Sequence, residues 1–229
     1  MFDTCISGLK TVNTHIKKRG GGIRHICFDI DGTLATHRLG YHPVGYFEIV
    51  LAGLLCGRGV LPTAALERVL EAEAAYPDAD PFRAAGALDI DLKTYRIELA
   101  AYQENYLECH EDALRFLTFL RERRTAVYIT TNNTRSRAVT VLDFLGLAEQ
   151  IAGIYTPEEM GARKNQIGFW RGVIRGIGAE PCEMAAVGDE ELSDSVVPLQ
   201  AGFALTCLIP KDRRKLDPSW MIDQFSNVF

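Results

Sequence analysis

Two acidic side chains lie two residues apart near the start of the chain, where a strand is predicted to end. The apolar run 23–30 is rich in β-forming residues and predicts a buried strand that opens into a loop at Asp29 and Asp31. A carboxylate can attack phosphorus and form an aspartyl-phosphate. A second carboxylate two residues on can serve first as general acid and then as general base. The run D-I-D-G-T at 29–33 therefore has the residue types that phosphoryl transfer requires.

Three later segments place polar side chains after predicted strands. The strand TAVYITT ends at Thr131 and Asn132, and the strand EMAAVG is followed by Asp189. Lys164 lies in the loop after a short strand, GIYT, at the start of the next predicted helix. Functional groups of an open parallel sheet collect beyond the carboxyl ends of its strands. We therefore expect these four side chains to meet the two aspartates of the first loop.

A group of carboxylates of this kind needs positive charge nearby. Carboxylates brought close together repel one another and raise one another's pKa unless a cation compensates. Oxygen ligands match a hard divalent cation such as Mg²⁺, and Lys164 adds a fixed positive charge. Phosphoryl transfer uses such charges because the equatorial oxygens must be neutralised in place. The pattern predicts a magnesium site for a phosphate-bearing substrate.

Each of these motifs also has a simpler interpretation when it is taken alone. An acidic turn can follow a strand, and a Thr-Asn pair is also a good turn or helix N-cap. A single lysine such as Lys164 is more often a surface residue, and the pair Gly188-Asp189 is typical of a common turn. The order and spacing of all the motifs together favour the catalytic interpretation.

Strands alternate with helices in the second half of the chain. This pattern predicts an α/β fold with a Rossmann-like parallel sheet, covered by helices on both faces. The predicted elements from residue 110 onward are, in order, a helix over EDALRFLTFLRERR, the strand TAVYITT, a helix around RSRAVTVLDFLG, the strand GIYT, a helix over 165–177, the strand EMAAVG, a helix near 194–201, the strand FALTCLI and a terminal helix within 211–229.

The segment from about 41 to 108 is predicted to be helical. One helix starts at Pro62 and Thr63, and its segment ends at Pro77. A later helix carries an apolar and aromatic stripe at helical spacing, formed by Tyr95, Leu99, Tyr102 and Tyr106. The preferred interpretation of the stripe is packing against other helices. The alternative is that some of the tyrosines line a substrate pocket.

Composition excludes some classes of partner. The net charge is −5 and the longest basic clusters are short, so no basic surface is expected to bind nucleic acid or an anionic membrane. No apolar stretch is long enough to span a bilayer, and the first residues lack the pattern of a secretory signal. The six cysteines form no C-x-x-C pair, and Cys27 and Cys207 are predicted to be buried in strands. We expect a cytoplasmic protein.

The motifs together resemble those of the haloacid dehalogenase-like (HAD) hydrolase superfamily. They are D-x-D-G-T at 29–33, T-N at 131–132, Lys164, and G-D-x-x-x-x-D at 188–194, in family order. The resemblance covers about residues 23–209. It implies the following division of the chain: a lead-in over 1–22, a Rossmann-like core formed by 23–34 and 110–229, and an inserted α-helical cap domain over 35–109.

The resemblance also implies roles for the phosphate-contacting residues. Asp29 would be the nucleophile and a metal ligand. Asp31 would be the general acid and base, with its backbone carbonyl on the metal. Thr131 would hydrogen-bond the transferring phosphoryl group, helped by the backbone of Asn132. Lys164 would stabilise the aspartyl-phosphate.

The last motif implies the rest of the metal site. Asp189 would complete the Mg²⁺ site, whereas Asp194 would act on the waters of the metal or orient Lys164. Glu190 is an alternative metal ligand, although an exposed carboxylate is the preferred interpretation there. The dehalogenase branch lacks a carboxylate at the position of Asp31, so its presence favours phosphate ester cleavage or phosphomutase chemistry.

The long insertion after the first motif implies a cap that closes over the site and helps to choose the substrate. It is far longer than the dozen or so residues that a βα crossover requires. Its candidate specificity residues are His37, Arg38, His42, Tyr46 and Arg58, although a plain surface or packing role is the preferred interpretation of each one.

The sequence therefore predicts a magnesium-dependent phosphatase for a small phosphorylated metabolite. Two alternatives stay open. One is a phosphomutase of the same superfamily, which shares the core residues, and the other is a non-catalytic binding protein that retains the fold. The sequence indicates neither the particular substrate nor the oligomeric state.

Overall fold

The computed structural model describes residues 22–38, 45–76, 78–210 and 219–225. Nearly all of the predicted lead-in, the candidate residue His42 and much of the predicted terminal segment lie outside these ranges. Among the described helices, none is both long and apolar enough to cross a membrane.

The described residues form seven strands and ten α-helices. In chain order the strands are β1 (His25–Phe28), β2 (Ala35–His37), β3 (Leu107–Cys109), β4 (Ala126–Thr130), β5 (Gly153–Tyr155), β6 (Met184–Gly188) and β7 (Leu205–Leu208). The helices are α1 (Tyr46–Cys56), α2 (Pro62–Ala74), α3 (Pro81–Ala87), α4 (Leu92–Tyr106), α5 (Glu111–Glu122), α6 (Arg135–Phe144), α7 (Pro157–Met160), α8 (Ile167–Ile177), α9 (Val197–Ala201) and α10 (Trp220–Phe225).

Five of the strands form one parallel sheet in the order β5-β4-β1-β6-β7. Strand β1 is central, and Phe28 near its carboxyl end pairs with Ile129 of β4 and Val187 of β6. Every strand predicted from the sequence is present, although β1 is shorter than the predicted run 23–30. The predicted α/β fold with a Rossmann-like parallel sheet is confirmed.

Alternate residues of β1 belong to two different hydrophobic clusters. Ile26 and Phe28 pack in a cluster with α5 and α6, whereas Cys27 packs in a second cluster with α8. Side chains alternate between the two faces of a strand, so helices cover the sheet on both faces, as predicted. Cys27 and Cys207 are buried, with 0% and 1% exposure, and this confirms the prediction for both thiols.

Helices α1 to α4 lie in the chain between strands β2 and β3. We call them the inserted helices. Strands β2 and β3 pair antiparallel, with Thr36 opposite Glu108, and form a two-stranded ribbon that the sequence did not predict. In the predicted stripe, Tyr95 and Leu99 are buried in the core, which matches the packing interpretation. Tyr102 is half-buried and Tyr106 is 36% exposed.

Arg137 of α6 joins the inserted helices to the core. It donates hydrogen bonds from Nη2 to Glu48 of α1 and to Glu73 of α2, the latter at 3.0 Å. Glu48 and Glu73 are each 5% exposed. Burial, followed by the charge of Glu48, raises the pKa of Glu73 to about 8, although Arg137 opposes the shift.

The raised pKa of Glu73 predicts that stability falls as pH rises. The ordinary pKa of this carboxyl is 4.5, so between that value and about 8 the folded chain holds a proton that the unfolded chain has released. The free energy of unfolding should therefore decline across this window, and Glu73→Gln should make the decline shallower. Urea unfolding from pH 5 to pH 9 measures the effect.

Glu71→Gln is the matched control, because Glu71 lies on the same helix but is exposed. The free energy of unfolding of the Glu71 variant should change with pH as it does in the unmodified protein. Identical pH profiles for the Glu73 variant and the unmodified protein would contradict the prediction.

Candidate active site

Asp29 directly follows the central strand β1 and is buried, with 7% exposure. Its backbone N–H donates to the carbonyl of Val187 at 2.9 Å, which extends the pairing of β1 with β6 by one residue. The chain then turns, because Gly32 adopts φ +73° and its N–H donates to Ala35 O at 2.8 Å. This turn leaves Asp31 exposed at the mouth of the site.

Lys164 is the buried cation of the site, with 2% exposure. Its Nζ lies 2.5 Å from Asp29 Oδ1 and 2.6 Å from Asp194 Oδ1. Its backbone is held on both sides, because its N–H donates to Asn132 Oδ1 at 3.0 Å and its carbonyl accepts from Trp170 Nε1 at 2.7 Å. The ammonium group is therefore fixed between two carboxylates from different parts of the chain.

Asp194 lies in a turn of π-helix, Glu191–Val196, that runs directly into α9. The sequence predicted an ordinary helix near 194–201. The π-turn follows β6 closely and places Asp194, with 1% exposure, against Gly188, the last residue of that strand. Its Oδ2 accepts from Glu190 N–H at 3.1 Å. A Cβ at Gly188 would lie only 2.1 Å from Asp194 Cγ, so a glycine is required there.

Three carboxylates converge at the ends of β1 and β6. One oxygen from each of Asp29, Asp189 and Asp194 lies within 4.8 Å of the other two. Oxygen donors at this density suit a hard divalent cation such as Mg²⁺. The single ammonium group of Lys164 does not balance three carboxylates, so the donor set fits a bound cation by charge as well as by chemistry. Glu190 is exposed and its Oε2 accepts from Ser193 Oγ at 3.1 Å.

The shifts in pKa at the site reflect burial and the lysine. Burial raises the pKa of Asp29, and the positive charge of Lys164 opposes the rise. Burial raises the pKa of Asp194 to about 7, again against Lys164. Burial lowers the pKa of Lys164, but the charges of Asp29 and Asp194 outweigh that effect and hold the pKa above its ordinary value. Lys164 is therefore protonated at neutral pH.

Asp31 has surroundings different from those of Asp29. Its Oδ2 accepts a hydrogen bond of 2.6 Å from Asn133 Nδ2. Desolvation of the carboxylate by the surrounding protein, followed by the negative charge of Asp29, raises the pKa of Asp31 to about 6. The hydrogen bond from Asn133 acts in the opposite direction. A carboxyl group with such a pKa can give and take a proton near neutral pH.

Thr131 and Asn132 follow β4, as predicted. Thr131 is buried, with 1% exposure, and its Oγ1 accepts from Asn133 N–H at 3.1 Å. The hydroxyl hydrogen of Thr131 is thus left to act as a donor. Asn132 uses its side chain to position Lys164, a contact that sequence reasoning did not anticipate. The loop 131–133 therefore contacts both the lysine and the exposed aspartate.

Two functional contacts come from residues that the sequence analysis did not select. Asn133 holds Asp31, and Trp170 holds the backbone of Lys164. Asn133 stands next to a recognised motif, so its position was a usable signal. Trp170 gives no such signal, because an aromatic residue in an amphipathic helix is most often a packing residue.

The candidate specificity residues differ in their positions. His37 and Tyr46 belong to an aromatic group in which His37 Nε2 lies 2.9 Å from Tyr102 Oη, and the rings of Tyr46 and Tyr102 are stacked. The phenol of Tyr46 accepts from Gln103 Nε2 at 3.2 Å. Burial raises the pKa of this phenol, and the charge of Asp31 adds to the rise.

The two candidate arginines instead bind backbone carbonyls within the inserted segment. Arg38 donates to Asn105 O at 3.3 Å, and Arg58 donates to Asp89 O at 3.0 Å. The structure thus places His37 and Tyr46 together in one aromatic group, whereas each arginine is engaged elsewhere.

Comparison with known protein families now identifies the chain. The model of the haloacid dehalogenase-like hydrolase family matches residues 23–195. The chain belongs to this family of hydrolases, and the resemblance drawn from its motifs is confirmed. No curated protein sequence matches the chain.

Solved structures of the same superfamily share the fold. A HAD phosphatase from Thermococcus onnurineus has 24% identity and a TM-score of 0.56, covering 85% of this chain and 88% of that chain. A subfamily IA HAD-superfamily hydrolase from Geobacter sulfurreducens has 20% identity and a TM-score of 0.54, covering 90% and 98%. YfnB from Bacillus subtilis, solved with magnesium, has 18% identity and a TM-score of 0.53, covering 86% and 90%.

Replacement of Gly32 tests the close packing of the first loop against Asp189. Gly32 and Gly178 have φ of +73° and +71°, but an added Cβ would lie 2.5 Å from Asp189 Oδ2 at Gly32 and would meet nothing within 4 Å at Gly178. Gly178→Ala should lower the free energy of unfolding by about 1 kcal/mol through backbone strain alone. Gly32→Ala should cost roughly 1 kcal/mol more, because Asp189 must also move.

Urea unfolding of both variants at one pH measures the difference. Equal losses at the two positions would show that Asp189 does not restrict the space beside Gly32.

Proposed function

We propose that the protein is a magnesium-dependent phosphatase that cleaves small phosphomonoesters through an aspartyl-phosphate on Asp29. The observation that carries the proposal is the contact of a buried carboxylate with a buried ammonium group, Asp29 with Lys164, at the end of the central strand. A second carboxylate, Asp31, lies at the exposed side of the same loop. This arrangement provides a nucleophile, a counter-charge and a proton carrier in one place.

The chemistry divides into two steps. In the first, a carboxylate oxygen of Asp29 bonds to phosphorus, the bond from phosphorus to the leaving oxygen breaks, and Asp31 transfers its proton to that oxygen. In the second, Asp31 takes a proton from water as the water oxygen bonds to phosphorus, and the bond to Asp29 breaks. The donor groups proposed for the phosphoryl oxygens are the Thr131 hydroxyl, the backbone N–H of Asn132 and the Lys164 ammonium.

A magnesium ion fits the acidic group and would be held by Asp29, Asp189 and the backbone carbonyl of Asp31. When bound, the ion supplies charge neutralisation for the phosphoryl oxygens. Asp194 touches Lys164 at 2.6 Å, and this contact supports a role in orienting the lysine. The related YfnB structure is bound to magnesium, which is consistent with this proposal.

We propose further that the inserted helices act as a cap and that the substrate is a small phosphorylated metabolite of the cytoplasm. The aromatic group around His37 and Tyr46 supports a role in contacting the leaving group, because the charge of Asp31 acts on the phenol of Tyr46. Neither a nucleic acid nor a membrane is proposed as a partner.

A panel of phosphorylated metabolites distinguishes the two reaction types. Release of free phosphate supports the phosphatase, whereas isomerised product without phosphate release would indicate a phosphomutase.

Asp29→Asn should abolish magnesium-dependent hydrolysis of p-nitrophenyl phosphate, because an amide does not attack phosphorus. The loss in kcat should be at least about a thousandfold. Release of p-nitrophenol and of phosphate measures turnover, and circular dichroism checks that the variant is folded. Asp143→Asn, an exposed change on α6, is the matched control and should keep full activity. Equal activity in the Asp29 variant and the unmodified protein would refute the assignment.

Asp189→Asn should raise the Mg²⁺ concentration needed for half-maximal turnover by at least about tenfold, because a charged ligand is replaced by a neutral one. Glu190→Gln, one residue away and exposed, should leave that concentration nearly unchanged. Titration of Mg²⁺ into protein treated with a chelator measures both values. If only the Glu190 variant shifted the titration, Glu190 would be the ligand in place of Asp189.

A further inference from the structure

A buried charge cluster connects the inserted helices to the core outside the β2–β3 ribbon. It consists of Arg137, Glu48 and Glu73, whose side chains are 13%, 7% and 7% exposed. Arg137 Nη2 also donates to the carbonyl of Ala79 at 3.4 Å. The guanidinium carbon lies 5.2 Å from the ring centroid of Phe47, a cation–π contact. One arginine therefore contacts α1, α2 and the connection that precedes α3.

The position of Arg137 in the core is directly related to the site. It lies in the first turn of α6, which begins immediately after the loop 131–134. Its backbone N–H donates to Thr134 Oγ1, the N-cap of the helix, at 3.3 Å. The same short stretch thus carries Thr131 at one end and Arg137 at the other, so the arginine is anchored close to the loop of the site.

The covalent connections alone would allow the inserted helices to rotate. They join the core only through β2 and β3, whose ribbon is three residues long. Backbone hydrogen bonds at its ends, Arg38 N–H to Tyr106 O at 2.7 Å and His110 N–H to Leu34 O at 3.0 Å, hold the ribbon together. A ribbon this short can act as a hinge, because few residues need to change their torsion angles for the attached helices to move. A contact outside the hinge is needed to select one orientation.

The cluster is better suited to selecting a geometry than to adding stability. Buried ion pairs recover little more than their desolvation cost. Here Glu48 Oε2 and Arg137 Nε have no hydrogen-bond partner among the described residues, so the recovery is incomplete. The bonds of Arg137 are nevertheless directional and need Glu48 and Glu73 in particular places.

We infer that Arg137 is a positioning residue that holds the inserted helices, through Glu48 and Glu73, in the orientation that the structure shows, which we call the closed orientation. The inference rests on the proposed phosphatase function. Loss of the cluster lowers the population of the closed orientation, and apparent substrate affinity falls by the same factor. Chemistry in the closed complex is unchanged, because Arg137 touches none of the proposed reacting groups.

The test is the double variant Arg137→Met with Glu48→Gln, which removes one positive and one negative charge together. At pH 7 the remaining carboxyl of Glu73, whose pKa is about 8, is mostly protonated, so no unpaired buried ion is left. Its KM for p-nitrophenyl phosphate should rise about tenfold with kcat within about threefold of the unmodified value. Hydrogen exchange at residues 45–56 and 106–110, measured without substrate, should be faster. A purely structural role would lower the unfolding temperature without separating KM from kcat.

The chain provides a matched control on the same helix. Arg135 is paired with Glu159 of α7, so this ion pair joins two helices outside the inserted segment and includes no residue of the inserted helices. Arg135→Met with Glu159→Gln removes the same chemistry two residues away. KM and exchange at 45–56 should stay at the unmodified values in this control.

Several outcomes would overturn the inference. They are an unchanged KM and exchange in a folded Arg137/Glu48 variant, or an equal rise in the control. If the double variant does not fold, Arg137→Lys is the deciding variant. Its KM should rise about threefold, because lysine lacks the planar set of donors of arginine. An unchanged KM in this variant would count against the inference. If the unmodified protein hydrolyses no phosphate ester, the proposed function fails, and the exchange measurement alone judges the role of Arg137.

Discussion

The site depends on the contact of the buried Lys164 ammonium group with the carboxylates of Asp29 and Asp194. Asp29 and Asp194 are both withdrawn from water, and two such carboxylates would destabilise the fold if no positive charge lay between them. Lys164 lies 2.5 Å from one and 2.6 Å from the other. The lysine is itself fixed through its backbone by Asn132 and Trp170, so the loop after β4 and the helix α8 both determine where the charge stands.

The parallel sheet explains why these groups meet. Strand β1 is central, with β4 on one side and β6 on the other, and the loops that follow all three strands open at the same edge. Asp29, Thr131 and Asp189 each come directly after one of those strands. Since parallel strands align their carboxyl ends, residues far apart along the chain become neighbours without any special feature of the loops. The two hydrophobic clusters on opposite faces keep the strands in register.

The core and the inserted helices contribute different chemistry. The core edge supplies charge, with carboxylates and a lysine, which suits the proposed reaction at phosphorus. The inserted helices supply the aromatic and hydroxyl groups of Tyr46 and Tyr102, and the carboxyl groups of their residues Glu48 and Glu73 bind Arg137. This division is physically reasonable, because a common phosphoryl group requires fixed charges while a variable leaving group requires shape and neutral contacts.

The sequence by itself determined the class of fold, the family and the position of each acidic motif. Strand periodicity, helix start signals and loop residues are local properties of the chain, so the order of strands and helices and the ends of β1, β4 and β6 were predictable. The tertiary structure alone decided which partners these residues have. The contact of Arg137 with Glu48 joins residues 89 positions apart, and the contacts of Trp170 with Lys164 and of Asn133 with Asp31 depend on how helices and loops pack. The β2–β3 ribbon and the π-turn at Asp194 were missed for the same reason: long-range pairing and strand-end geometry leave no periodic signal in the sequence.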